Sequence, residues 1–261
     1  MAAPELPDDA VFSDLDRAVR GRLRTLSKDN AENVGRHLVM VGRLLDLDPE
    51  LAYEHAQAAV ARAARVDVVR EAAGLAAYRT GRYAEALREL RTVRRLNGSS
   101  EHLPIMADCE RGLGRPERAL ALGREPEAET LDVVGRVEMA LVQSGARLDL
   151  GEVEAALAVL GTPQLRAVTG PQAVRVAVAR ATALEAAGRG EDAVAELAGF
   201  TPEQLAEAAG EVDEDDEDVI AYDLTDDAAE FPDEDDELTA DATDGAESSA
   251  AEGHEAPEGE R

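Results

Sequence analysis

A glycine followed after two or three residues by a polar side chain, an alanine and an aliphatic recurs through the first two hundred residues. It reads TGRYAEAL around Gly81, LGRPERAL around Gly114, LGEVEAAL around Gly151 and AGRGEDAV around Gly188. A degenerate first copy, DLDPELAY, has no glycine but sets Ala52 in register with Ala86. The alanines fall at Ala52, Ala86, Ala119, Ala156 and Ala193, in steps of 34, 33, 37 and 37 residues. A period in this range is the mark of stacked helical hairpins, each exposing apolar surface alone and burying it only against the next. The expected fold is all-α: a right-handed α-solenoid of about five antiparallel hairpins spanning residues 30–200.

The charge is divided as sharply as the pattern. Residues 201–261 carry 25 acidic side chains and one basic one, Arg261, for a charge of −24. The remaining 31 acids and 26 bases leave residues 1–200 near neutral at −5. Beyond Gly210 the composition is acid, Ala, Gly, Ser and Thr, which cannot bury enough surface to offset its ordering entropy, so residues 211–261 are expected to be a disordered acidic tail. One apolar island, Val219, Ile220, Tyr222 and Leu224 in DVIAYDL, interrupts it with the look of a linear docking motif.

Ahead of the repeats, residues 1–13 hold two prolines and no periodicity and read as a flexible leader. Leu15, Val19, Leu23 and Leu26 then form one helical stripe, with Ser13 as N-cap and five basic residues mostly off the stripe. A single amphipathic capping helix over 14–29 is the expectation. Hairpin helices follow near 31–45 and 50–64, 67–79 and 83–97, 101–112 and 116–124, 131–148 and 152–160, and 171–187 and 191–198. Pro49 and Pro116 stand at first turns, where a missing N–H costs nothing. Thr201, Pro202 and Gln204 signal a closing helix over 202–209.

Several functional classes find no support. One cysteine, Cys109, and the scattered His37, His55, His102 and His254 offer no metal spacing. No nucleophile–base pattern, phosphate loop or HExxH run occurs, so no catalytic residue and no cofactor is expected. The acidic N-terminus is not a secretory signal, and the apolar runs fall short of the ~18 residues of a membrane span, which points to a cytoplasmic protein. Arg88, Arg91, Arg94 and Arg95 make one basic stretch, but Glu85 and Glu89 stand at ion-pair spacings beside it. With no Trp, three Phe and a −24 tail competing for any patch, nucleic acid is an improbable partner.

The unit 67–100 resembles the tetratricopeptide repeat, a 34-residue pair of antiparallel helices. Gly74 and Ala77 take the small positions of its first helix, Gly81 the turn, Tyr83 the aromatic that opens the second, and Ala86 the crossing point; Leu90, Val93 and Leu96 complete the buried side. Arg70 at the usual aromatic position and Gly98 at the usual closing proline depart from the pattern. The other copies keep mainly Ala107 with Gly114, Ser144 with Gly151 and Ala181 with Gly188. The chain is similar to actinobacterial members of that family that carry an acidic tail.

The resemblance implies a protein-binding scaffold whose partner peptide or helix lies on the concave face, lined by the first helix of each hairpin. Carried over by position, it marks His37, Tyr78, Arg79, Arg111 and Arg175 as partner contacts. His37 with Val41, and Glu71 with Leu75, stand where chaperone-clamping members have Lys and Asn, so that partner class is disfavoured. A monomer or weak oligomer is expected. The alternative reading makes the polyanionic tail the effector, binding a basic protein surface as a nucleic-acid mimic, with the repeats as its mount.

Overall fold

The computed structural model describes residues 3–210, whose regular secondary structure is all helical, with thirteen α-helices, three short 3-10 turns and no strand among them. The acidic stretch 211–261, with its 218–224 island and the effector reading built on it, lies outside the described residues.

Ten helices pair in sequence order. They are α2 (Lys28–Leu44) with α3 (Pro49–Ala63), α4 (Asp67–Arg79) with α5 (Tyr83–Asn97), α6 (Leu103–Gly112) with α7 (Pro116–Leu122), α8 (Val133–Asp149) with α9 (Val153–Leu160), and α11 (Pro171–Ala186) with α12 (Gly190–Leu197). Each pair also packs on the next, through α3 on α4, α5 on α6, α6 and α7 on α8, and α8 and α9 on α11. The apolar interior is accordingly a series of local clusters rather than one centre. Ala77, Ala86, Leu87 and Leu90 of the second pair meet Met106 and Cys109 of the third, and Val137, Ala140 and Leu160 of the fourth meet Val176 of the fifth.

The recurring pattern has a direct structural cause. Gly81, Gly114, Gly151 and Gly188 all adopt φ between 70° and 74°, the left-handed region that an L side chain enters only at a cost. At each, the following residue donates its N–H to a carbonyl five residues back: Arg82 to Ala77, Arg115 to Glu110, Glu152 to Arg147 and Arg189 to Leu184. This six-to-one closure caps the first helix and turns the chain into the second. The first hairpin, lacking the glycine, instead caps α3 with the Asp48 carboxylate, which accepts from Leu51 N–H. The five pattern alanines are at most 2% exposed, because a larger side chain at a crossing would hold the helices apart.

The change from steps of 33–34 to 37 accompanies a change of shape. The second helices α3 and α5 run 15 residues, whereas α7 and α9 run 7 and 8. The chain so released forms a 3-10 turn at Pro126–Thr130 and the one-turn α10 (Pro163–Arg166). After the last pair, Thr201 and Gln204 form a capping box at the start of α13 (Pro202–Ala209), which packs on α11.

The N-terminus differs from expectation. Instead of one capping helix over 14–29 there are 3-10 turns at Phe12–Asp14 and Leu23–Thr25 around a short α1 (Arg17–Arg22), and Lys28 and Asp29 already belong to α2. Ser13 sits inside the first 3-10 turn, and Asp16 is the residue preceding α1. The stripe nonetheless packs against α2, α3 and α4, with Leu23 fully buried and Leu15, Val19 and Leu26 partly so, and the apolar spacing identified the packing face and not the backbone. Nor is the leader loose. Arg36 donates to the carbonyls of Pro7 and Ala10, Arg43 pairs with Asp9 and Asp14, and Ala10 is fully buried. Such a strap depends on carbonyls and single cations, which have no periodicity to read.

Candidate partner-binding face

Four of the first helices, α2, α4, α6 and α11, carry the five candidate contacts, and each candidate is already engaged. His37 is 2% exposed and lies inside the first hairpin, its Nδ1 2.9 Å from Nδ1 of His55 on α3. One Nδ1 donates and the other accepts, so a single proton lies between the two Nδ1 atoms. Burial pushes His37 down to about 4, with His55, Arg62 and Arg36 adding to the effect, and burial likewise lowers His55. His37 is therefore a core residue and not a partner contact. Val34 and Val41, on the same helix, are also buried. The first copy has no glycine to anchor its register, which is why the positional transfer failed there.

Tyr78 donates its hydroxyl to Asp108 Oδ2 at 2.7 Å, and its ring lies 6.2 Å from that of Tyr83. Burial raises its pKa, and the Asp108 carboxylate raises it further. Asp108 also accepts from Arg111 at 2.9 Å, and Arg111 reaches on to Asp149 at 2.8 Å. Its guanidinium lies over Gly145, where an added Cβ would meet it at 2.7 Å. Arg79 pairs with Asp46 just past α2 at 2.9 Å, with the side chains 50% and 71% exposed. Asp46–Arg79 and Tyr78–Asp108–Arg111–Asp149 thus form a rail along the C-terminal ends of the first helices, where cations also complement the helix dipoles. Toward the N-terminal ends, Arg175 of α11 pairs with Glu138 of α8, and His102 Nε2 lies 3.3 Å from Glu71 and 3.5 Å from Glu101.

That His–Glu–Glu group is the one set of metal-type donors gathered among the described residues, and it joins residues that sequence spacing left scattered. Cys109 is buried and its thiol is pushed up to about 12, chiefly by burial, so it is no nucleophile at neutral pH.

A cavity of about 440 Å³ opens beside the rail, lined by Tyr83, Asp108, Arg111, the Gly112–Pro116 turn and Asp149. It mixes an aromatic ring, a guanidinium and carboxylates at the junction of three hairpins. The basic stretch on α5 is a different matter. Arg91 pairs with the buried Glu110, Arg94 with Glu125 and Glu127, and Arg88 with Glu85 and Glu89. Arg91 and Arg94 thus hold neighbouring elements together, while Arg88 pairs within α5 itself. Arg70 has the same purpose: it binds the buried Glu89 at 2.5 Å and the carbonyl of Ala64, which explains an arginine at a position that is aromatic in the resembled repeat. Sequence reading missed Glu89 and Glu110 as buried groups, since on a helical wheel they sit beside arginines that look solvated.

No protein-family model, curated protein or solved structure matches this chain. No helix among the described residues is long and apolar enough to cross a membrane.

Proposed function

We propose that the chain is a non-catalytic interaction scaffold, its five hairpins stacked as a right-handed solenoid of the tetratricopeptide type, holding a peptide or helix of a partner protein on the face of its first helices. The observation that carries this reading is the open cavity of about 440 Å³ beside Arg111. The same first helices carry two further ion pairs with partly exposed side chains, Asp46–Arg79 and Glu138–Arg175. Fixed guanidiniums flanking a recess offer charge-assisted contacts at little ordering cost, and arginine and tyrosine are the residues that most often anchor such interfaces. Exposed pairs of this kind contribute about 0–1 kcal/mol to stability, so a partner carboxylate can take over either arginine without unfolding its hairpin.

The reading places the contacts at Arg79, Arg175 and the exposed edge of Arg111, with Tyr78 and Asp108 as their support. Affinity capture of the full chain and of an Arg79→Glu, Arg175→Glu chain tests it. Proteins retained by the first and lost from the second, with helicity unchanged, support the assignment. The same proteins retained equally by both would overturn it.

A further inference from the structure

The N-terminal strap leaves a second recess, of about 620 Å³, between α1 and the start of α2. Its floor is apolar: Phe12, Leu23 and Leu26. Four cations, Arg17, Arg20, Arg24 and Lys28, rim it against one acid, Glu32. None of the four makes an ion pair among the described residues, whereas Arg22 between them is tied to Asp67 and most other arginines of the hairpins are paired. Arg20 Nε is shielded from solvent and has no hydrogen-bond partner. An apolar trough beneath unpaired guanidiniums calls for a ligand that brings carboxylates and aliphatic side chains together.

The sequence contains a segment of that composition. Residues 217–224 read EDVIAYDL, three acids around Val219, Ile220, Tyr222 and Leu224. We propose that this recess takes segment 217–224 of a second copy of the chain, so that copies associate head to tail. The match is one of composition: four unpaired cations over an apolar floor meet three carboxylates around four apolar side chains, and the concentration dependence below separates a second copy from the chain's own segment. A groove meeting a different surface on its partner is a heterologous contact, which leaves a free groove at one end and a free segment at the other.

The test is sedimentation equilibrium of the full chain across concentrations. The expected result is an average mass that rises above the 27.7 kDa monomer with concentration at low salt and returns toward it at 0.5 M NaCl, as screening removes the charge contacts. Arg20→Glu with Arg24→Glu in the groove, or Val219→Ser with Ile220→Ser and Leu224→Ser in the segment, each abolishes the rise. An equimolar mixture of the two variants restores one association, a 1:1 pair that grows no further, because only one intact groove and one intact segment remain. Circular dichroism confirms that both variants keep their helices. A monomeric mass at every concentration, self-association untouched by either variant, or a mixture that stays monomeric overturns the proposal. Neither variant alters Arg79 or Arg175, so failure here is distinguishable from failure of the partner-face reading.

Discussion

Acidification should loosen the first hairpin through its histidine pair. His37 and His55 face each other through Nδ1 atoms 2.9 Å apart, an arrangement that admits one proton between them. A second proton would set donor against donor beside Arg36 and Arg62 in a buried site. The folded chain therefore holds His37 at about 4, against about 6.5 for the unfolded chain. The sign follows from which state binds protons first. At pH 7.5 both states are neutral at this residue and its stabilising effect is complete. As pH falls below 6.5 the unfolded chain takes up a proton and the folded chain does not, so stability declines until about pH 4 and then levels. At 1.36 kcal/mol per pKa unit the full loss is about 3 kcal/mol, of which about 2 kcal/mol is reached by pH 5, with His55 adding in the same direction. Asp67, which burial raises but Arg22 and Asn97 together hold below its ordinary value of 3.8, and Glu50, which Arg82 holds below 4.5, contribute stability that is lost as pH falls below those values, beneath the pH 5.0–7.5 range of the measurement. Urea titrations followed by circular dichroism at pH 7.5 and 5.0 give the loss directly. A His37→Gln, His55→Gln chain should show a pH-dependent loss smaller by about 2 kcal/mol or more. Equal losses in the two chains would refute the argument.

Three further outcomes follow from the packing. Gly74→Ala places a Cβ 2.7 Å from Leu90 Cδ2, itself 1% exposed, and should destabilise the second hairpin by about 1–3 kcal/mol in thermal or urea unfolding; an unchanged midpoint would mean that α4 and α5 do not cross this closely. Tyr78→Phe removes the hydroxyl that Asp108 accepts while Arg111 still holds that carboxylate, so the loss should be near 1 kcal/mol, and amide exchange should quicken where α4 meets α6. Arg36→Ala frees the carbonyls of Pro7 and Ala10, so limited proteolysis should cut before α2 sooner than in the parent chain, with the hairpins still intact.

The hairpins were legible because their signal is steric and repeats. A left-handed turn needs glycine and a close crossing needs alanine, and both needs recur at Gly81, Gly114, Gly151 and Gly188 with their following alanines. The helix ends near Pro49, Pro116 and Pro202 were legible for a related reason, since proline at a first turn is a local requirement. What escaped is non-local. The strap over α2 is held by Arg36 and Arg43, 26 to 34 residues away from their partners, and nothing in residues 3–16 announces it. The buried carboxylates Glu89 and Glu110 are compensated by arginines from other helices, which no pattern within one helix can show. At the candidate face, spacing placed Tyr78, Arg79 and Arg111 on first helices, but their partners Asp108, Asp46 and Asp149 come from neighbouring elements. His37 was misplaced because the first copy lacks the glycine that fixes register in the others.

The central claim is that a partner lies along the first helices, across Arg79 and the recess beside Arg111. A photo-crosslinking residue introduced at Arg79 of the full chain, compared with one at the exposed Arg95 on the second helix α5, tests this most directly. The account predicts that a defined protein is captured from position 79 and not from position 95, and that unlabelled full chain competes for it. Equal capture from both positions, or capture from position 95 alone, would contradict it.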